Sequence, residues 1–222
     1  MRRTLRLLLS GTIASAKGYL LPIVLLSGIL LMSVPGTRTG AAGSNAGELR
    51  MLTDFTAETY DLGWRVVNDN VMGGRSEGYF RIDQGAMQFT GVTNTSGGGF
   101  TSVRTHRMRL NLSRYDGVRL LARADGRRYT WRITTSTRWR GEEISYWADF
   151  EASGDTMTVV DIPFSAFVAK YRGFELGLPE LDPALITGMG LMIYDRRDGP
   201  FEFHLASVQA YATQAAVTLN RQ

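Results

Sequence analysis

From Leu52 onward, apolar and polar residues alternate in short runs broken by turn-forming residues, and no stretch holds an apolar stripe at helical spacing. Residues 64–67, 79–82 and 100–104 read as strands. Residues 86–92 alternate in part, with Gly91 interrupting the run as at a bulge. Residues 118–122 form a short apolar strand, and Asp125-Gly126 after it is a turn signal. The next run places Tyr129, Trp131 and Ile133 on one face, and Ile144, Tyr146, Ala148 and Phe150 repeat the period of two. A strand over 156–162 ends at Pro163, and 190–194 and 201–211 are the last strands. Residues 164–171 suit a short helical turn, and the 179–186 loop has room for another. About eight to ten short strands at this spacing predict an all-β fold, an antiparallel β-sandwich. No amphipathic helix lies between strands, which argues against parallel crossover units. Aromatic residues on alternating positions are expected to fill the core.

The front of the chain is built differently. Residues 1–18 carry Arg2, Arg3, Arg6 and Lys17 and no acid, residues 19–34 are an uncharged apolar run, and Pro35-Gly36 leads into small residues. That is the order of a secretory signal, with Ala41 or Ala42 offering a cleavage point. The run falls short of the roughly 20 residues of a spanning helix and contains Pro22, yet Gly18 and Pro35 nearly extend it to that length. An uncleaved anchor therefore stays open. So does an organelle-targeting sequence, which also has an Arg-rich, acid-free front. The expected organisation is a signal peptide or membrane anchor over 1–36, a flexible linker over 37–49, a β-sandwich domain over 50–213 and a tail over 214–222. A signal or an anchor places the domain outside the cytoplasm, as an exported (periplasmic or extracellular) or membrane-anchored protein. The alternative is mitochondrial.

Charge needs the same division. The net charge is +4, from 25 basic and 21 acidic residues, and the pI is about 9.6. Without the four cations of residues 1–18 the balance is 21 against 21, so the basic pI is no sign of a nucleic-acid partner. Cysteine is absent, which excludes thiolate metal sites, thiol nucleophiles and disulfides. With only His106 and His204, a histidine metal cluster is not expected.

The segment that fits neither strand nor helix is 64–78, WRVVNDNVMGGRSEG. Apolar Trp64, Val66 and Val67 run into Asn68, Asp69 and Asn70, then Val71-Met72 and Gly73-Gly74. Asn and Asp side chains bond turn backbone and Gly adopts left-handed conformations, so the segment is a shaped loop. It resembles the signature of the complex I intermediate-associated protein 30 (CIA30) family. The resemblance continues through GGGFTSVR (97–104), ADGRRY (124–129), DIPFSAF (161–167), YRG (171–173) and DRRDGPF (195–201). It spans nearly the whole of the expected domain. It implies a galactose-binding-like jelly-roll sandwich and a non-catalytic, chaperone-like role in assembly of respiratory complex I, the NADH:ubiquinone oxidoreductase. Family members work in mitochondria, whereas the front end here has the form of an export signal or anchor.

Several motifs invite chemistry and lack what it needs. Gly74-Arg75-Ser76-Glu77-Gly78 matches a nucleophile elbow, but a strand rather than a helix is expected after Ser76. Gly97-Gly98-Gly99 has no following Lys-Ser/Thr to hold phosphate. No cofactor loop is present and no enzymatic activity is expected. The loop aspartates Asp69, Asp125, Asp195 and Asp198 are expected to fix their own turns rather than to hold a cation. Arg104, Arg123, Arg127, Arg128 and Arg172 can fork onto Asp69, Asp125 and Asp195, and at least one such pair is expected to tie the loops together. The predicted partner-binding face is the loop cluster of Asn68, Asp69, Asn70, Met72, Gly73 and Gly74 with Phe100, Arg104, Asp125, Arg128, Asp195 and Asp198. The expected partner is a protein, respiratory-complex subunits if the resemblance extends so far, with the membrane contacted through an uncleaved front. The alternative is an exported carbohydrate-binding module that uses Trp139 and Trp147 near the loop RWRGEE.

Overall fold

In the computed structural model, which describes residues 47–56 and 61–213, the alternating segments become antiparallel strands, and among these described residues the only helical elements are three single 3-10 turns. The expected signal or anchor over 1–36, most of the linker and the tail from 214 lie outside the described residues. In chain order the strands are β1 (Leu49–Thr53), β2 (Arg65–Asn68), β3 (Glu77–Asp83), β4 (Ala86–Thr93), β5 (Thr101–Arg104), β6 (Gly117–Trp139), β7 (Glu142–Ser153), β8 (Thr158–Pro163), β9 (Val168–Tyr171), β10 (Phe174–Glu175), β11 (Ile186–Ile193) and β12 (Gly199–Tyr211).

The largest departure from the sequence pattern is β6. Asp125-Gly126, read as a turn between two strands, instead sits inside one strand of 23 residues. Gly126 takes a φ of 79°, and the register with β7 slips between Asp125 and Arg128. The irregularity bends the strand without ending it. Before the bend β6 pairs with β8 and β12, and after it with β7 and β11. One strand therefore serves both layers. The first runs β8–β6–β12–β4–β3, with β1 also on β12. The second runs β10–β9–β7–β6–β11–β5–β2.

Between the layers lies the core that the period of two predicts. Tyr129, Trp131 and Ile133 of β6 are fully buried, as are Phe89 of β4, Val103 of β5 and Leu191 of β11. The Tyr129 and Phe203 rings lie 4.7 Å apart, Phe89 and Phe201 4.9 Å, and Phe150 meets Phe203 edge-on at 5.9 Å. Each large apolar side chain withdrawn from water contributes about 2 kcal/mol, against the entropy of ordering it.

The short helical turn expected within 164–171 is the 3-10 turn Phe164–Ala166, and β9 begins after it at Val168. One local expectation is corrected. Gly91 does not mark a bulge, because β4 keeps regular register through it with both β3 and β12. A Cβ there would lie 2.0 Å from the Glu77 carbonyl oxygen and 2.8 Å from the Phe201 ring, so close approach of the strands demands glycine.

Candidate functional site

β2 ends at Asn68, and the 3-10 turn Asp69–Met72 follows. Gly73 closes the turn at a φ of 86°, and its N–H donates to the Asn70 carbonyl. This path turns Asp69 inward, where its residue is fully buried. Asp69 Oδ1 accepts from Ser76 N at 2.8 Å, while Oδ2 accepts from Ser76 Oγ at 2.7 Å, Gly99 N at 2.6 Å and Phe100 N at 3.2 Å. Glycines make the room: a Cβ on Gly74 would lie 2.2 Å from the Asp69 carboxyl carbon, and one on Gly98 would lie 2.4 Å from Oδ2. Burial opposes ionisation here, but hydrogen bonds from Gly99 and Ser76 hold the carboxyl below its ordinary value. Asn68 adds a second tie, its Oδ1 accepting from Thr101 Oγ1 and from Gly78 N. Ser76 is itself buried, its Oγ also accepts from Asn94 N at 3.0 Å, and β3 rather than a helix follows it. The knot fastens the 97–100 loop to the 64–78 loop.

A second latch forms from the arginine–aspartate set, as expected of at least one such pair. Arg127 forks onto Asp195, Nε to Oδ2 at 2.9 Å and Nη2 to Oδ1 at 2.6 Å, with both residues buried. Its remaining N–H groups reach the carbonyls of Gly199, Pro200 and Arg197 and the Thr93 hydroxyl. Burial again works against the Asp195 carboxylate, and the Arg127 fork holds it below its ordinary value. Asp125 accepts from Arg127 N, Tyr129 OH and Glu202 N, and Asp198 accepts from Thr95 N at 2.7 Å. Each of the four loop aspartates thus accepts backbone N–H groups. Arg128 stays on the surface, 3.8 Å from Asp149, and Arg172 lies over the Tyr171 ring at 5.2 Å. Among the described residues no three imidazole or carboxylate groups converge as a cation cage.

The 64–78 and 97–100 loops line a groove of about 390 Å³ on the outward side of the second layer. On its floor and walls are Phe100, Arg104, Arg132, Trp147, Met192 and Tyr194. Tyr194 meets Phe100 edge-on at 6.4 Å and Trp147 edge-on at 6.0 Å. Trp147 Nε1 donates to Ser145 Oγ at 2.6 Å, and Lys170 sits 5.8 Å over the Trp147 ring. Val71 and Met72 line the same groove, at 71% and 60% exposure. Trp139 stands apart, against Tyr171 at 5.3 Å and beneath Arg140 at 4.6 Å.

Of the predicted face, Met72, Phe100 and Arg104 line the groove. Asn68, Asp69, Gly73 and Gly74 hold the loop that carries Met72, with Asn70 exposed beside them. Asp125 and Asp195 belong to the Arg127 latch, Asp198 holds the Thr95 N–H, and Arg128 belongs to neither. Sequence reasoning missed Arg132, Met192 and Tyr194. Arg132 lies between core residues Trp131 and Ile133, so alternation turns it outward, and nothing in one sequence distinguishes a groove from open solvent.

A family model described as Complex I intermediate-associated protein 30 (CIA30) matches residues 53–205. No match is found among curated proteins. Among solved structures, the family 11 carbohydrate-binding module of the cellulosomal cellulase Lic26A-Cel5E of Clostridium thermocellum aligns with a TM-score of 0.57 at 13% identity, over 78% of this chain and 99% of that one. The family 11 module from Clostridium thermocellum in complex with a β-1,3-1,4-mixed-linked tetrasaccharide aligns with a TM-score of 0.55 at 14% identity, over 77% of this chain and 98% of that one. At such identities the likeness is one of fold, the expected jelly-roll sandwich.

Proposed function

The chain belongs to the complex I intermediate-associated protein 30 family, and on that premise we propose that it is a non-catalytic, chaperone-like domain that seats a protein partner during assembly of a respiratory membrane complex. The observation that carries this reading is the pairing of bare aliphatic side chains with a rigid base. Val71 and Met72 are 71% and 60% exposed, yet they stand on a turn whose first residue, Asp69, is fully buried and four times hydrogen-bonded. A preorganised apolar rim loses little entropy on docking, and apolar side chains beside an aromatic groove mark contact surfaces. The partners in this proposal are subunits of NADH:ubiquinone oxidoreductase. The front segment would hold the domain at the membrane or direct its export, with mitochondrial import as the alternative. The test is Val71→Asp and Met72→Asp in the tagged full chain. The expected result is at least a roughly fivefold loss of co-purified complex I subunits with an unchanged melting temperature. Undiminished co-purification would sink the proposal.

A second reading, an exported carbohydrate-binding module, draws on Trp147 and Tyr194 in the groove. A glycan array separates the two: a saccharide bound by the full chain and lost in Trp147→Ala favours sugar, and an empty array removes it.

A further inference from the structure

Neighbouring positions on paired strands put their side chains on the same face. Following the registers across the second layer, Arg65 of β2 lies beside Arg104 of β5, Arg104 beside Gly190 of β11, Gly190 beside Arg132 of β6, and Arg132 beside Trp147 of β7. The row thus places arginines on both sides of a glycine and ends on an aromatic wall. Gly190 itself adds no side chain between Arg104 and Arg132, and close approach keeps it so: a Cβ there would lie 2.6 Å from the Val103 carbonyl oxygen and 3.2 Å from Arg104 Cγ.

The cations that line this groove, Arg104, Arg132, Lys170 and Arg172, outnumber its acids, Glu142 and Glu143. Arg104 donates from Nε to Ser102 Oγ at 2.9 Å, and Arg132 Nε is buried with no partner. Among the described residues neither forms an ion pair. Of the two acids, Glu143 is turned toward Arg107 and Arg138 at 3.5 and 3.7 Å and offsets the charges of Arg104 and Arg132 only through space. Burial, with the charge of Arg65, pushes Arg104 down to about 10, and burial, with the charge of Arg104, pushes Arg132 down to about 9, so both stay cationic at neutral pH. Withdrawing like charges from water side by side, with no acid in direct contact, is costly, and an anionic ligand would relieve that cost.

We infer that this groove takes an acidic peptide segment of the partner, a Glu or Asp carboxylate entering over Gly190 between Arg104 and Arg132 while a neighbouring apolar side chain packs on Phe100 and Trp147. The inference deepens the assembly reading and rests on it. A peptide fits better than an acidic sugar on two observations. Tyr194 stands at right angles to the Trp147 ring and Lys170 lies 5.8 Å over it, so the part of the ring left open suits one aliphatic side chain better than a stacked pyranose. Met192 on the floor and Val71 and Met72 at the rim add aliphatic surface that a sugar leaves uncovered.

The test uses the ¹⁵N-labelled full chain and an N-acetylated, C-amidated peptide of alternating Glu and Leu, with its Glu-to-Gln counterpart as control. The expected result is a saturable shift of the Gly190 amide and the Trp147 indole. The affinity falls at least tenfold for the Gln peptide and at least tenfold in Arg132→Met and Arg104→Met. Because each substitution removes a cation with no direct ion pair, these variants should melt close to the parent. Equal binding of the Glu and Gln peptides overturns the inference without any variant needing to fold. Tighter binding of an oligogalacturonate than of the peptide overturns it in favour of an acidic glycan. Complex I subunits retained by both Met variants would overturn the carboxylate contact and leave the assembly reading standing, whereas loss in Met72→Asp alone speaks only to the latter.

Discussion

Asp69→Asn changes one heavy atom and tests how the loops are held. The carboxylate accepts four hydrogen bonds, three of them from backbone N–H groups of Ser76, Gly99 and Phe100. An amide has one acceptor atom. If its oxygen takes the Oδ2 place, the NH₂ faces the Ser76 N–H; turned over, it faces the donors of Ser76 Oγ, Gly99 and Phe100. The better orientation sets the Ser76 N–H against the amide's own NH₂, leaving donors on both sides without an acceptor there, at least about 1–3 kcal/mol, and weakens the other bonds from charged to neutral, about 1 kcal/mol each. Relief of the buried charge offsets part of this, and the expected loss is about 3–5 kcal/mol. Against a total stability of 5–15 kcal/mol typical of a domain, that is a large fraction. Urea titration followed by tryptophan fluorescence reads it as a lower midpoint at an unchanged slope. The sign with pH follows: the Asp69 carboxyl sits below 3.8 when folded, so its contribution is complete above about pH 4 and is lost as pH falls through the folded value. A loss under about 1 kcal/mol, with hydrogen exchange at Gly99 and Phe100 unaltered, would refute the assignment of the knot to this carboxylate.

Arg127→Met leaves Asp195 buried without its fork and should cost about 3–5 kcal/mol by calorimetry, while the double variant with Asp195→Leu should recover a good part of it. Asp195 is likewise held below 3.8, so an acid titration of the melting temperature should show its contribution present above about pH 4 and lost below. Gly73→Ala should cost only about 1–2 kcal/mol, because φ is 86° but nothing lies within 4 Å of the new methyl. Gly98→Ala should cost more than Gly73→Ala, since its Cβ would lie 2.4 Å from Asp69 Oδ2, and the order of the two melting temperatures checks the argument.

The sandwich was legible because burial imposes a period of two, and Tyr129, Trp131 and Ile133 show it without interruption. The continuity of β6 was not, since Asp-Gly is the same local signal whether the chain reverses or bends within a ladder, and only pairing with β7 and β12 decides. Gly91 misled in a related way: one sequence records that a Cβ is missing, but not that Glu77 and Phe201 occupy its space. The loop around Asp69 was readable as a polar knot from its Asn, Asp and Gly residues. That Gly74 and Gly98 clear space for one carboxylate depends on two loops meeting, which no local spacing encodes. The Arg127–Asp195 fork was foreseen as a kind of pair rather than as those two residues. Arg132 escaped notice because outward positions on a strand are read as solvated, whereas here they floor a groove.

The most direct test is site-specific photocrosslinking in the cell, with a benzophenone side chain placed at position 72 on the groove rim or at position 82 on β3. Ile82 is 48% exposed and lies in the other layer, so it serves as the control. The account predicts adducts with complex I subunits from position 72 and none from position 82. Adducts from 82 alone, or equal adducts from both, would contradict it.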